Sequence, residues 1–221
     1  MKNGIPLTAL CSVLFVGCSS QPRAVPIVQS APSTSKTLSD AAAAPAGLAS
    51  TLSSYNDPEN GVGFSYPSVW LPASQMGSYM GPAFATPTMR PKAAFAFSPE
   101  GNLYGKTVLL SLAFSYFAER SPSASACVQQ AQSAVGGTQK SSVTIRGVPF
   151  TEVSGGDAAM CHEQAATIDV TYRNGKCLAF ERDFNTECYG AGDNKRKLTS
   201  REQRALQRHL DEVMQSVRWT Q

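Results

Sequence analysis

A run of alternating apolar residues from Thr107 to Tyr116 constrains the fold of this chain more than any other segment. The apolar residues occupy every second position: Val108, Leu110, Leu112, Phe114 and Tyr116. Successive side chains of a β-strand point to opposite faces of the sheet, so this period of two predicts a strand with a buried face. A single strand is not stable alone, and the chain must therefore build a sheet with a covering layer.

Weaker patterns predict the remaining elements. Further strands are expected at 61–67, 93–97, 143–153, 163–173 and 176–184. A helix should begin at Ser121-Pro122 and end at Val135, before a Gly pair. A second helix should cover 200–215, capped by Thr199 with Glu202 or by Ser200 with Gln203, and a short strand should end the chain at 217–219. About six strands and two helices, without a regular βαβ rhythm, predict an α+β fold with an antiparallel sheet.

Asn174-Gly175 predicts a hairpin between the strands at 163–173 and 176–184. If the apolar residues of both strands share one face, Val170 should lie opposite Leu178 and Ile168 opposite Phe180. A three-residue loop over 173–175 with a bulge gives this register, whereas a two-residue turn places the two apolar sets on opposite faces. We therefore expect the three-residue loop.

The first residues are typical of an export signal. Lys2 supplies a positive charge, the segment from Ile5 to Val16 is mostly apolar, and Gly17 is a small residue before a cut. The apolar segment is too short to span a membrane, which takes roughly 20 residues. Residues 18–53 are rich in Ser, Ala and Pro and carry little charge, which predicts a disordered tether leading to a folded domain at 54–221.

The sequence Phe15-Val16-Gly17-Cys18 resembles the lipobox of bacterial lipoproteins, with Phe15 where Leu is usual. The resemblance implies a signal peptide at 1–17, lipid on Cys18 and an anchor in the cell envelope. Ser19 is not the Asp that retains such proteins in the inner membrane, which favours the outer membrane. The alternative is an ordinary cleaved signal in which Cys18 has no role.

The segment from Gly61 to Trp70 resembles the "GF-x-x-x-YP-x-x-W" start of PsbP-like domains, with Tyr66-Pro67 closer to Phe64 than in some members. Residues 174–177 and 216–219 fit the closing pattern of these domains. The resemblance, to the Mog1/PsbP fold, implies a central antiparallel sheet with helices on both faces. It also implies a mostly non-catalytic family of assembly factors, a small-GTPase binder and bacterial lipoproteins. None of the family's partner-binding residues matches a position in this chain.

Four cysteines remain after the predicted signal and anchor, in a compartment that permits disulfides. Cys161 and Cys188 should lie together at the open end of the predicted hairpin. Cys177 should point to the other face of the sheet, where the helix bearing Cys127 can cover it. We predict the disulfides Cys127–Cys177 and Cys161–Cys188.

The sequence offers little for catalysis. The chain has two histidines, His162 and His209, and neither falls in a pattern typical of a nucleophile with its base. Cys161 adjoins His162, but neighbouring strand residues point to opposite faces. We expect no catalytic residue, no metal site and no cofactor. The alternative is a hydrolase or metal-dependent enzyme of the envelope that uses His162.

A cluster of basic residues precedes and enters the second helix, at Lys195, Arg196, Lys197, Arg201, Arg204 and Arg208. Such a face suits anionic lipid headgroups, cell-wall polymer or an acidic protein surface; the alternative is an ordinary solvated helix face. The net charge of +3 does not suggest a nucleic-acid protein. The sequence thus predicts an envelope lipoprotein with a binding or assembly-support domain, for an unknown protein or polymer. Binding of lipid or cell wall through the basic helix is a further alternative.

Overall fold

A computed structural model describes residues 51–76, 81–85, 90–98, 104–159, 161–188 and 194–220. The predicted signal peptide, Cys18 and the tether up to residue 50 lie outside these ranges. The elements, in chain order, are β1 (Leu52–Asp57), β2 (Val62–Pro67), β3 (Leu71–Pro72), a 3-10 turn (Ala73–Gln75), β4 (Ala93–Phe97), β5 (Leu109–Arg120), α1 (Ala124–Val135), β6 (Thr138–Ile145), β7 (Val148–Ala159), β8 (His162–Arg173), β9 (Lys176–Glu187), α2 (Ser200–Gln215) and β10 (Arg218–Trp219).

The strands form two antiparallel sheets. The larger has seven strands in the order β3-β4-β5-β9-β8-β7-β6, and the smaller has three in the order β1-β2-β10. With two helices, this confirms the predicted α+β class. Among the described residues no helix is long and apolar enough to cross a membrane.

The expected count of about six strands is wrong, mainly because 143–153 is two strands. Arg146 and Gly147 both have positive φ, at 48° and 80°. This left-handed pair reverses the chain, so that β6 and β7 pair with each other from Ile145 and Val148 onward. β1 adds a further strand and begins at Leu52, inside the segment predicted as tether.

The expected three-residue loop between β8 and β9 is also wrong. Asn174 and Gly175 have φ values of 51° and 75°, and Arg173 pairs directly with Lys176 across a two-residue turn. Val170 therefore lies opposite Ala179, not Leu178. The apolar residues of β8 and those of β9 mostly lie on opposite faces of the sheet. This arrangement is stable because both faces of the sheet are buried.

Each face of the larger sheet has its own helix and its own apolar cluster. On one, the α1 face, the helix packs over β7, β8 and β9 and buries Phe117, Ile168, Val170 and Ala179. On the other, the α2 face, Leu206 and Leu210 pack with Phe114 and Phe180, together with Phe64 of the smaller sheet. The arrangement is the one that the resemblance to the Mog1/PsbP fold implies.

Local signals set the ends of both helices. Ser123 caps α1 by accepting a hydrogen bond from the Ala126 N–H at 3.1 Å, so the helix begins two residues later than Ser121-Pro122 predicts. Gly136 ends it in the left-handed conformation. In α2 the capping box of Thr199 with Glu202 is present, as one of the two predicted alternatives.

The disulfide Cys127–Cys177 joins α1 to β9 on the α1 face, with 5.4 Å between the two Cα atoms. Both cysteines are buried, each 1% exposed. The structure confirms this predicted pair. Cys161 and Cys188 are free thiols that lie side by side, and their predicted disulfide stays a prediction.

Candidate functional site

The six basic residues predicted as one face separate into two groups of three. Lys195 forms an ion pair with Glu187 at the end of β9. Arg196 donates two hydrogen bonds to the Glu202 carboxylate, at 2.8 and 2.7 Å, and a third to the Lys197 carbonyl. The segment 195–197 therefore holds the start of α2 in place.

The Arg196–Glu202 pair is a structural contact with a marked electrostatic effect. The Arg196 guanidinium lowers the pKa of Glu202 to about 2, assisted by the Thr199 N–H and hydroxyl. Since Glu202 also accepts from the helix cap, one carboxylate neutralises Arg196 and satisfies the first turn of α2.

The second group is an exposed stripe on α2. Arg201, Arg204 and Arg208 stand at positions i, i+3 and i+7, which place them on one side of the helix. All three are exposed, and none forms an ion pair within the part of the chain that the structure describes. We call these three residues the Arg face.

The Arg face keeps its charge because two of the three acidic residues of α2 pair with arginines outside the helix and the third lies beside a histidine. Glu202 pairs with Arg196, Asp211 pairs with Arg182 of β9, and Glu212 lies 3.3 Å from Nδ1 of His209. On the opposite side of the helix, Leu206 and Leu210 are fully buried. The helix therefore presents its arginines outward while its carboxylates are engaged.

Arg182 is the centre of a buried ion cluster that the sequence analysis missed. Its guanidinium binds Asp211 at 2.6 Å, Asp169 at 2.8 Å and Glu152 at 3.0 Å. Asp169 is fully buried, and its burial raises its pKa to about 6 despite the nearby guanidinium. The cluster fixes α2 to strands β7, β8 and β9, and with them the orientation of the Arg face.

A second set of polar side chains is buried on the α1 face. Glu181 accepts hydrogen bonds from the Ala83 and Phe84 N–H groups at 2.6 and 3.0 Å, and burial raises its pKa. Gln164 donates to the Gly81 carbonyl at 3.0 Å and to Asp183 at 2.8 Å. These groups attach the segment 81–85 to the sheet. Glu181 and Asp183 stand two positions apart on β9, and this spacing indicates that their side chains share one face of the sheet.

The two histidines lie on different elements and have different surroundings. His162 is exposed at the start of β8, opposite Glu187 in the strand register. His209 is half-buried on α2 beside Glu212. Within the described ranges no group of three or more His, Cys, Asp or Glu residues is arranged to hold a metal ion.

No family model and no curated protein matches this chain. Among solved structures, it is similar to the Ran-binding protein Mog1p of Saccharomyces cerevisiae, with 9% identity over 76% of this chain and 95% of that one (TM-score 0.43). It is similar to the cyanobacterial PsbP of Synechocystis sp. PCC 6803, with 13% identity over 81% and 95% (TM-score 0.34).

It is also similar to LpqN, a protein involved in cell envelope biogenesis of Mycobacterium tuberculosis, with 14% identity over 77% of this chain and 92% of that one (TM-score 0.36). A longer protein of Bacteroides thetaiotaomicron matches with 14% identity over 76% of this chain (TM-score 0.38), and the chain spans 48% of its length. These similarities concern the fold alone.

Proposed function

We propose that this chain is a lipid-anchored protein of the bacterial cell envelope whose domain binds an anionic partner through the Arg face. The observation that carries the proposal is the Arg face itself. Arg201, Arg204 and Arg208 are exposed on one side of α2 and form no ion pair with its carboxylates: Glu202 and Asp211 pair with Arg196 and Arg182, and Glu212 lies beside His209 within the described part of the chain. A solvated helix face with balanced charges would instead pair its arginines with its own acids.

The predicted lipid anchor compensates for the weak affinity expected of a small charged face. A basic residue near an anionic surface contributes about 1 kcal/mol, so three arginines alone give weak and salt-sensitive binding. A flexible chain of about 35 residues has a root-mean-square reach of roughly 30–35 Å. Lipid on Cys18 with the tether of 18–53 therefore keeps the domain close to the envelope surface, where weak contacts are repeatedly re-formed.

The proposal is one of binding rather than catalysis. His209 is engaged with Glu212, and His162 stands at an exposed strand end opposite a carboxylate. The other candidate, a hydrolase or metal-dependent enzyme that uses His162, predicts an activity that His162→Ala abolishes. The binding proposal predicts that His162→Ala recovers the partner as well as the wild-type chain does.

The experiment is crosslinking in intact cells, followed by mass spectrometry of the captured molecules at two salt concentrations. The test variant is Arg204→Glu/Arg208→Glu on the Arg face. The matched control is Arg90→Glu/Arg120→Glu, which makes the same change in net charge at exposed arginines outside α2.

We expect partner capture to fall at least tenfold in the test variant, to fall with salt in the wild type, and to be unchanged in the control. Equal capture by both variants would overturn the proposal. Pelleting with phosphatidylglycerol vesicles, against phosphatidylcholine vesicles, separates a lipid surface from a protein or polymer partner.

A further inference from the structure

Cys161 and Cys188 continue the β8–β9 ladder by one more residue pair. His162 pairs with Glu187 in the strand register, and the Cys188 N–H donates a hydrogen bond to the Cys161 carbonyl at 2.9 Å. Residues directly opposite each other on antiparallel strands have Cα atoms about 4.5–5.5 Å apart. This separation lies within the range that a disulfide spans.

Cys161 and Cys188 are neighbours across the two strands. The neighbouring Cys161 side chain raises the pKa of the Cys188 thiol. Because the backbone hydrogen bond already aligns the two residues, bringing their sulfur atoms together needs no change in the strand register. Formation of a bond between them is therefore a local event.

Solvent access distinguishes Cys161 and Cys188 from the disulfide-bonded pair Cys127–Cys177. Cys161 is exposed and Cys188 is half-buried beside a cavity of about 420 Å³, which Glu163 and Lys197 also line. Cys127 and Cys177, by contrast, are each 1% exposed between α1 and the sheet. External reagents reach the first pair in the folded protein and reach the second only when α1 moves away.

The backbone at Cys161 is also unusual. Its φ is +67°, in the left-handed region that few residues other than Gly, Asn and Asp adopt. Such conformations cluster where the surrounding structure holds a chemically active side chain in place. Here the turn presents the Cys161 sulfur to solvent at the exposed end of the hairpin.

We propose that Cys161 and Cys188 form a reversible thiol–disulfide exchange site, which opens and closes in the folded domain while Cys127–Cys177 stays bonded. The co-reactant is an external disulfide, either on an oxidoreductase or on a small molecule. The proposal does not rest on the Arg face or on the proposed function. The disulfide predicted from the sequence for this pair is then an accessible, reversible bond, whereas the buried Cys127–Cys177 disulfide is a structural one.

Oxidation proceeds in two exchange steps. The Cys161 thiolate attacks one sulfur of the external disulfide, forms a mixed disulfide and releases the first external thiolate. The Cys188 thiolate then attacks the Cys161 sulfur, forms the Cys161–Cys188 bond and releases the second external thiolate. The two protons lost by the cysteines end on the two released thiolates, so the pair loses two electrons and the external disulfide gains them. Reduction is the reverse.

The position of the site connects it to the start of α2. Cys188 follows Glu187, which forms the ion pair with Lys195 just before the Arg196–Glu202 contact. Closing the bridge ties the end of β9 to the start of β8. It thereby adds a covalent restraint beside the ion pairs that hold the helix.

The test equilibrates the full-length native protein with mixtures of reduced and oxidised glutathione, then alkylates free thiols and maps them by peptide mass spectrometry. We expect Cys161 and Cys188 to pass together from alkylated to bridged as the mixture becomes more oxidising. Cys127 and Cys177 should remain unlabelled across the whole series in the folded protein, and they should be labelled only when denaturant and reductant are added together. Peptide position separates these four cysteines from Cys11 and Cys18.

Cys188→Ser is the control variant, because it leaves Cys161 exposed without a partner. It should accumulate a mixed disulfide of Cys161 with glutathione, whereas the wild type should show the internal bridge instead. Three results would overturn the proposal: alkylation of Cys161 and Cys188 at every redox mixture, a bridge from either residue to Cys127, or opening of both bridges only on unfolding.

Discussion

At the scale of single residues, the Arg182 cluster is the main electrostatic feature of the interior. Three carboxylates surround one guanidinium that is 10% exposed, so the cluster carries excess negative charge. Asp169 Oδ1 is buried and has no hydrogen-bond partner within the described part of the chain. Burial without full compensation favours the protonated acid, which is why its pKa is raised.

This cluster makes a prediction about pH. The pKa of Asp169 is about 6 in the folded domain against an ordinary 3.8, so the folded state binds the proton more tightly than the unfolded state does. Its contribution to stability is therefore present near pH 4 and is lost as the pH rises to about 6. Asp169→Asn removes this titration and should shrink the drop in unfolding free energy between pH 4 and pH 7 by about 2–3 kcal/mol.

Urea unfolding at a series of pH values measures this effect. Asp157→Asn, which removes an exposed carboxylate on β7, is the matched control and should keep the wild-type profile. If Asp169→Asn and the control give the same dependence on pH, Asp169 is not the group responsible.

The Arg182 cluster also shows which residue-level features the sequence reveals. Thr199 and Glu202 are three positions apart, and the capping box they form depends on local backbone geometry alone, so it was predictable. Asp169 and Arg182 meet only when β8 and β9 pair in the correct register and α2 covers them. Alternation alone gave no means of choosing that register.

At the scale of elements, the β8–β9 hairpin is determined by its turn rather than by its apolar pattern. Both turn residues have positive φ, as a two-residue turn that follows the twist of the strands requires. Asn and Gly tolerate this conformation better than other residues do. The turn therefore specified the register. The assumption that the apolar residues of both strands share one buried face led instead to the wrong register.

The turn gives a second prediction. Gly175→Ala places a Cβ where no atom lies within 4 Å, so its cost comes from the backbone alone. An L-residue in the left-handed region costs about 1–2 kcal/mol, and the free energy of unfolding should fall by that amount. Asn174→Gly, the matched variant, adds no such strain at the neighbouring left-handed position and should change the free energy of unfolding by less than Gly175→Ala does. Denaturant melts of both variants test this, and equal losses would contradict it.

The basic residues at the second helix show what residue spacing can predict and what it cannot. Positions 201, 204 and 208 share one side of any helix, so the Arg face follows from sequence once α2 is recognised. The exclusion of Lys195 and Arg196 from that face follows from their ion pairs with Glu187 and Glu202. The first of these pairs is a tertiary contact that no local pattern indicates.

At the scale of the whole domain, the two apolar clusters are built on shared strands. Successive residues of β9 alternate between them: Cys177 and Ala179 belong to the α1 face, Leu178 and Phe180 to the α2 face. β5 does the same with Phe117 and Phe114. A strand cannot leave one cluster and remain in the other, so the two faces should unfold as one unit.

The chain carries a built-in probe of this coupling. Its two tryptophans, Trp70 and Trp219, both belong to or pack against the α2-face cluster. Tryptophan fluorescence therefore reports on that face, whereas far-UV circular dichroism reports on the sheet and helices as a whole. Ile168→Ala truncates a fully buried side chain of the α1 face, and Leu206→Ala is its matched counterpart on the α2 face.

Each truncation should cost about 2–5 kcal/mol, because it leaves a cavity in a packed cluster. For Ile168→Ala we expect the fluorescence midpoint in urea to shift by the same amount as the circular dichroism midpoint, although the mutated residue lies across the sheet from both tryptophans. Leu206→Ala should shift both signals together as well. A fluorescence midpoint that stays at its wild-type value in Ile168→Ala, while circular dichroism shifts, would mean that the α1 face melts separately. The strands shared by the clusters would then not couple the two faces.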